Sequence, residues 1–160
     1  MGPRSVMDDT IPEFGVPVSG VTYRDRPGAY AVILGRESRF AFVRGKAGRL
    51  FLPGGGIGPG ERAEDALMRE VVEEIGWSVR ILGTIGRATQ LVFAEGEGHF
   101  AIRATYFRAA VIERRSAQCQ HEIVWLSPAP AAPYLARESD AWAISRASNS
   151  SRGVRLAVAL

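Results

Sequence analysis

The feature that most constrains this chain is a glycine-rich turn running straight into an acidic amphipathic helix, between Gly55 and Trp77. Gly54, Gly55, Gly56, Gly58 and Gly60 crowd around Pro53 and Pro59. The following stretch, AEDALMREVVEEI, has helical spacing, and Gly76 stands where a helix takes a left-handed terminal residue. With Leu67 set at zero on a helical wheel, Val71 and Ile75 fall at about 40° and about 80°, so the three form one apolar stripe. On the same wheel Glu74 falls near about −20°, Glu70 near about −60° and Glu73 near about −120°. Three carboxylates therefore edge into the face that should meet the core.

That placement needs a cause. Like charges four residues apart, as in Glu70 and Glu74, cost a few tenths of a kcal/mol even in water. Partial burial raises the cost unless each charge is paired or holds a metal. Arg69 lies four residues before Glu73 and four after Asp65, and one arginine cannot neutralise the whole group. A hard divalent cation can, because Mg²⁺ takes oxygen ligands and keeps waters and substrate phosphates in its shell. From the helix alone, a solvated acidic face remains an equal alternative.

The whole string narrows the choice. It reads Gly55, five residues, Glu61, seven residues, Arg69-Glu70-Val71, one residue, Glu73-Glu74, one residue, Gly76, and then a bulky apolar residue. This resembles the Nudix box, the signature of the Nudix hydrolases, with every defining position filled. Trp77 is the one departure, since the family places an aliphatic residue there, and a local packing change is expected. The resemblance implies that Glu73 and Glu74 bind a divalent cation, Mg²⁺ or Mn²⁺, with the backbone carbonyl of Gly55. It makes Glu70 either a further ligand or the base that takes a proton from water. Arg69 then orients the glutamates, Glu61 among them. Glu122, just before a strand bearing Trp125, is either the extra carboxylate that several Nudix branches carry or an ordinary surface residue.

Composition bounds the remainder. The chain has 160 residues, one domain's length, with 46% hydrophobic and 23% charged residues, as in ordinary globular proteins. The formal net charge of +3 suits an anionic substrate, and no lysine-rich run suggests a nucleic-acid arm. Cys119 is the only cysteine, which excludes an intramolecular disulfide and a cysteine-built metal site. No apolar run reaches the roughly 18 residues of a membrane helix, and the first 20 residues lack a signal-peptide pattern. The expectation is a cytoplasmic monomer or homodimer that takes a small nucleotide or nucleoside-diphosphate derivative, with no stable nucleic-acid partner and no membrane.

Three segments are expected: an N-terminal extension over 1–27, a catalytic domain over 28–147 and a tail over 148–160. The first dozen residues read as disordered and 14–23 as an edge strand. Residues 29–34 read as a strand buried on both faces, joined through a turn to 39–44 as a hairpin. Strands follow over 50–52, over 79–93 with a bulge at Gly83 and Gly86, over 100–112 and over 123–126. Helical pieces over 128–136 and 140–146 close the domain, followed by a Ser/Asn linker and an apolar end without an assigned role. Strands on either side of one central helix fit a mixed sheet between helices, which the resemblance names as the Nudix α/β/α sandwich. The stretches YRDRPGAY and SDAWA also resemble a bacterial subgroup of MutT-like proteins.

Among residues outside the box, Arg103, Arg108 and Arg24 are candidate phosphate clamps. Tyr30 and Phe107 are candidate stacking surfaces for a base, against the ordinary reading of solvated arginines and core aromatics. Glu95, Glu97, His99 and His121 read as surface residues, and Cys119 as unactivated. The sequence markers of ADP-ribose, dinucleoside polyphosphate, NADH and coenzyme A hydrolases are missing downstream of the box. That leaves a MutT-like nucleoside triphosphate pyrophosphohydrolase, oxidised triphosphates among its substrates. The alternatives are a dinucleoside polyphosphate, ADP-ribose or nucleotide-sugar hydrolase, or a Nudix-fold module that binds nucleotide without turnover.

Overall fold

Residues 29–33 form the end of strand β2 (Arg24–Ile33), and every side chain from 29 to 33 is buried. Successive strand residues face opposite sides, so burial throughout requires cover on both faces. The cover is a helix on each side. The structure, a computed structural model, describes residues 10–157, with side chains described up to 149. Ala29, Ala31 and Ile33 join Leu67, Val71 and Ile75 of helix α1 (Ala63–Ile75) in one core. Tyr30 and Val32 join Ala143, Ile144 and Ala147 of helix α3 (Glu138–Ala157) in another. The expected stripe of α1 is therefore the buried face, with Leu67 and Val71 fully covered. The helix ends at Gly76 (φ 76°), whose N–H bonds the Val72 carbonyl at 2.9 Å.

Between the helices lies a five-stranded mixed sheet. Its order is β1 (Glu13–Phe14), β6 (Trp77–Ala94), β7 (Gly98–Arg114), β2 and β5 (Gly54–Gly56). A smaller sheet holds β4 (Leu50–Phe51), β3 (Phe40–Arg44) and β8 (Ile123–Leu126). This is the α/β/α sandwich expected from the sequence. The irregularity foreseen in β6 appears as register shifts against β7 at Ser78/Val79, Ile81/Gly83 and Thr84/Gly86. The edge strand foreseen near the N-terminus is present but only two residues long, parallel to β6.

Four expectations are corrected. β2 and β3 do not form a hairpin: a single bridge, Leu34 to Phe40, joins them before β3 turns away to pair with β4 and β8. β2 starts at Arg24, inside the stretch assigned to the N-terminal extension. The Ser/Asn stretch after residue 147 is no linker, because α3 continues through Ala157. A short helix α2 (Pro128–Ala131) and a 3₁₀ turn precede α3, in place of the expected continuous helix over 128–136. Of the first dozen residues, expected to be disordered, 1–9 lie outside the described residues, as does the end of the apolar tail, 158–160, whereas the Pro12 carbonyl accepts the Thr89 N–H at 2.8 Å.

A polar network pins α3 to the sheet. Asp140 is fully buried, and it accepts hydrogen bonds from the Tyr106 hydroxyl at 2.8 Å and the Leu52 N–H at 3.2 Å. Ser139 Oγ lies 2.8 Å from the same hydroxyl, and the Ser139 N–H bonds Gln90 Oε1 at 3.0 Å. Buried polar groups are tolerable only when paired in this way. The bond to Leu52 also fixes the chain just before the glycine loop.

Candidate active site

The glycine loop enters the sheet as β5, antiparallel to β2, with Gly55 opposite Ala29 and Gly54 opposite Tyr30. Its ends are held by two further bonds to β2, Ala31 N–H to the Pro53 carbonyl (2.9 Å) and Ile57 N–H to the Pro27 carbonyl (3.0 Å). Helix α1 then lies close against this three-glycine strand. A Cβ on Gly55 would stand 2.5 Å from Glu70 Cδ and Oε2, so glycine is what allows the Glu70 carboxylate to rest on the backbone there. Glu74 Oε2 accepts the Gly54 N–H at 2.9 Å. Two box glutamates thus meet two adjacent glycines.

Arg69 organises the other side of the group. It grips Glu61 with two bonds, Nε to Oε2 at 2.9 Å and NH2 to Oε1 at 2.8 Å, the fork geometry that makes such pairs strong. NH1 reaches Glu70 Oε1 at 2.8 Å and Glu73 Oε2 at 3.4 Å, and NH2 also donates to the Gly56 carbonyl at 3.1 Å. Glu61 in turn accepts the Gly58 N–H at 2.9 Å, tying the turn to the helix. The Arg69 hydrogen bonds and the Gly58 N–H hold the Glu61 carboxyl down to about 2. Hydrogen bonds to Glu61 and Glu70 raise the pKa of Arg69 in turn.

Glu74 is in the opposite position. Burial and the nearby Glu70 charge push its carboxyl up to about 7, against the Gly54 hydrogen bond and the charge of Arg137. It has no ion-pair partner within 4.0 Å among the described residues. Three carboxylates, Glu61, Glu70 and Glu73, therefore share one arginine, and the fourth, Glu74, is left with the Gly54 N–H. Among the described residues no three His, Cys, Asp or Glu side chains converge into a ready-made metal cage. The reason is visible in the bonding: Arg69 draws Glu70 and Glu73 towards itself while Gly54 holds Glu74.

Arg137, which the sequence reading passed over, stands beside this group. Its Cζ lies 5.1 Å from the ring centroids of both Tyr30 and Phe51, and its charge acts on Glu74 and Asp140. No periodicity marks it in the sequence, because it sits between a 3₁₀ turn and the start of α3.

The remaining candidates separate. Tyr30 is 6% exposed, with Arg137 over one side and Tyr106 at 5.8 Å (centroid to centroid). It is a core ring and not an open stacking surface. Phe107 is likewise buried, in the α1 core. Arg103 and Arg108, five residues apart on β7, face opposite sides of the sheet and cannot clamp one phosphate together. Arg103 is paired with Asp25 at 2.9 Å and bonds Thr89 Oγ1 at 3.1 Å. Arg108 lines a cavity with Thr84 and Ile85. Arg24 donates to the Glu97 carbonyl, while Arg26 pairs with the Glu97 carboxylate, and His99 stacks with Tyr23 and Phe93 at the far end of β7. Glu122 is exposed, but its neighbours Gln120 and His121 donate backbone N–H bonds to the Glu73 and Glu74 carbonyls. That brings the Glu122 backbone to the end of α1 that carries the glutamates.

The sequence profile of the NUDIX domain matches residues 16–146. The chain belongs to the Nudix family. Members of this family generally use divalent metals such as Mg²⁺ or Mn²⁺. A curated Bacillus subtilis protein named "Putative 8-oxo-dGTP diphosphatase" is 38% identical over 60 residues, which are 37% of this chain and 40% of that protein. The match thus spans less than half the length of that relative. A NUDIX hydrolase from Nitrosomonas europaea superposes with a TM-score of 0.66 at 21% identity, covering 79% of this chain and 90% of the other. The MutT protein from Methanosarcina mazei gives 0.63 at 21% identity, over 82% and 98% of the two chains. At these identities the structures establish the shared fold. No helix among the described residues of this Nudix domain is long and apolar enough to cross a membrane.

Proposed function

We propose that this Nudix domain is a divalent-metal-dependent hydrolase of phosphoanhydride bonds in nucleoside diphosphate derivatives, with nucleoside triphosphates as the leading substrates. The observation that carries this reading is the under-neutralised carboxylate group against the glycine strand, above all the half-buried, unpaired Glu74 beside Glu70. Such an arrangement stores electrostatic cost that a bound cation relieves. The donors fit a hard ion: the carboxylates of Glu70, Glu73 and Glu74 and the Gly55 carbonyl are all oxygen ligands. When bound, the ion neutralises phosphate oxygens and lowers the pKa of a coordinated water.

The protein's own groups do the rest. Arg69 keeps Glu70 and Glu73 at fixed distances, and Gly54 keeps Glu74 in place. Glu70 takes the proton from the attacking water, and Glu122 takes that role if Glu70 is instead held as a ligand. Arg137 adds positive charge on the Glu74 side, where an incoming phosphate needs it. Water attacks a substituted phosphorus, and a triphosphate leaves as pyrophosphate and a nucleoside monophosphate. The name of the Bacillus subtilis relative favours an oxidised purine triphosphate as the first compound to try.

The test is a panel of triphosphates (8-oxo-dGTP included), dinucleoside polyphosphates, ADP-ribose and nucleotide sugars with Mg²⁺ or Mn²⁺, read by product analysis. Release of pyrophosphate from a triphosphate is the expected result. A dinucleoside polyphosphate or ADP-ribose turned over with about 10²-fold higher kcat/KM than any triphosphate, near 2.7 kcal/mol of transition-state preference, would replace the substrate assignment. No turnover of any compound, with nucleotide binding retained, would make the domain a binding module.

A further inference from the structure

The residue by which the box departs from its family pattern, Trp77, packs against the α1 core without being fully covered by it. It is partly exposed and lines a cavity of about 590 Å³ together with Trp125, Val111, Arg36, Glu37 and Arg39. That volume lies within the usual range for small-molecule sites. None of these residues belongs to the glutamate group or to the glycine loop. The expected packing change is thus the opening of a second concave surface, beyond the C-terminal end of α1.

The walls of this cavity have two chemistries. Two indoles and a valine supply an apolar, aromatic floor. The loop between β2 and β3 supplies a cationic lip. Arg39 is paired with Glu37 at 3.0 Å, whereas the Arg36 side chain has no hydrogen bond or ion pair among the described residues. One lip cation is therefore left over.

The arrangement is also built. Trp125 packs so tightly on Gly35 that a Cβ there would stand 2.5 Å from its Cζ3, so the indole is held against the lip. The lip is closed by the Gly35 N–H to the Arg39 carbonyl at 2.8 Å and the Arg39 N–H to the Arg36 carbonyl at 3.1 Å. Within it Glu37 and Ser38, neither of them glycine, both take φ 56°, a conformation a free loop avoids.

We propose that the cavity between Trp77 and Trp125 is a second ligand site, separate from the glutamate group, for a planar aromatic ring bearing an anionic group. The ring lies against the indoles and the anion meets the Arg36 guanidinium. Aromatic faces bind flat rings by offset stacking, and an arginine free of other partners forms charge-assisted bonds to phosphate or carboxylate. A nucleoside monophosphate and an aromatic carboxylate share this chemistry. The proposal does not depend on the hydrolase reading.

The three tryptophans, Trp77, Trp125 and Trp142, give three indole N–H signals in a ¹⁵N-labelled sample, assignable from single Trp→Phe variants. The full chain is titrated in EDTA with guanosine monophosphate, with indole-3-acetate and with neutral guanosine. The expected result is saturable movement of the Trp77 and Trp125 signals with one or both anions and much weaker movement with guanosine. Whichever anion binds more tightly identifies the source. Arg36→Glu, an exposed change that leaves the core intact, should weaken binding by about tenfold or more. Trp77→Leu, which restores the aliphatic residue of the family pattern, should abolish the Trp125 response. Still signals for Trp77 and Trp125 with both anions, movement confined to Trp142, or equal affinity for guanosine would each overturn the proposal.

Discussion

Two helices carry acids onto the same sheet from opposite faces, and the two acids are treated differently. Asp140 of α3 is fully buried, yet both of its oxygens are met, by the Tyr106 hydroxyl and the Leu52 N–H. Glu74 of α1 is only half buried, yet it has one backbone hydrogen bond and a like-charged neighbour in Glu70. Burial pushes the pKa of both upward. What differs is the completeness of their bonding. A buried acid with every oxygen paired ties elements together, whereas an acid left short of partners beside another acid is a place for something else to bind.

The contrast is sharpest when one chemical change, acid to amide, is made on both faces. Glu73→Gln and Glu74→Gln should each keep the fold and abolish most metal-dependent turnover, since an amide cannot replace an anionic ligand. Metal-free thermal stability should hold or rise as like charge is removed. Wild-type turnover in both variants would remove the metal assignment. Glu70→Gln should lower kcat by about 10²–10⁴, the range for a lost general base, with metal affinity changed less. If metal affinity falls as far as kcat, Glu70 is a ligand, and the loss of base function should appear in Glu122→Gln instead.

On the other face the same swap should be mild. Asp140→Asn keeps an oxygen for the Leu52 N–H and turns its amide NH2 to the Tyr106 hydroxyl, which accepts it and donates instead to Ser139 Oγ, so its unfolding free energy should lie within about 1 kcal/mol of wild type. Asp140→Ala leaves the Leu52 N–H buried and unpaired and the Tyr106 hydroxyl with Ser139 alone, and should cost about 2–4 kcal/mol in denaturant unfolding. If the alanine variant unfolds like the asparagine one, the network does not hold α3 to the sheet. The sign of the pH effect follows from the raised pKa of Asp140. Its contribution is fully present below the ordinary carboxylate range and is lost as pH rises through the folded value, and Asp140→Asn should flatten that dependence.

The smallest expected effect concerns Glu61, a partly exposed acid whose carboxyl is held down to about 2 by Arg69 and the Gly58 N–H. A lowered folded pKa adds stability above the ordinary range near 4.5, and that stability is lost as pH falls towards about 2. The melting temperature of wild type should therefore exceed that of Glu61→Gln at pH 6, and the two should converge near pH 2. A gap unchanged across that range would mean that the Arg69–Glu61 fork contributes nothing through charge.

The amino-acid sequence alone determined what depends on local order. The stripe of Leu67, Val71 and Ile75, the stop at Gly76 and the two-faced burial of 29–33 follow from periodicity and backbone preference, which act within a few residues. The spacing of Glu61, Arg69, Glu70, Glu73 and Glu74 also placed Arg69 among the carboxylates, because helical geometry sets distances over two turns. Only the tertiary structure decided matters that depend on which distant segments meet. β3 left its sequence neighbour β2 because its partners, β4 and β8, lie across the smaller sheet. Arg137 reached Tyr30, Phe51 and the neighbourhood of Glu74 from more than 60 positions along the chain. Trp77 and Trp125 came to share one cavity for the same reason. Contacts between segments so far apart are fixed by competition for the core, and no spacing rule in the sequence records that competition.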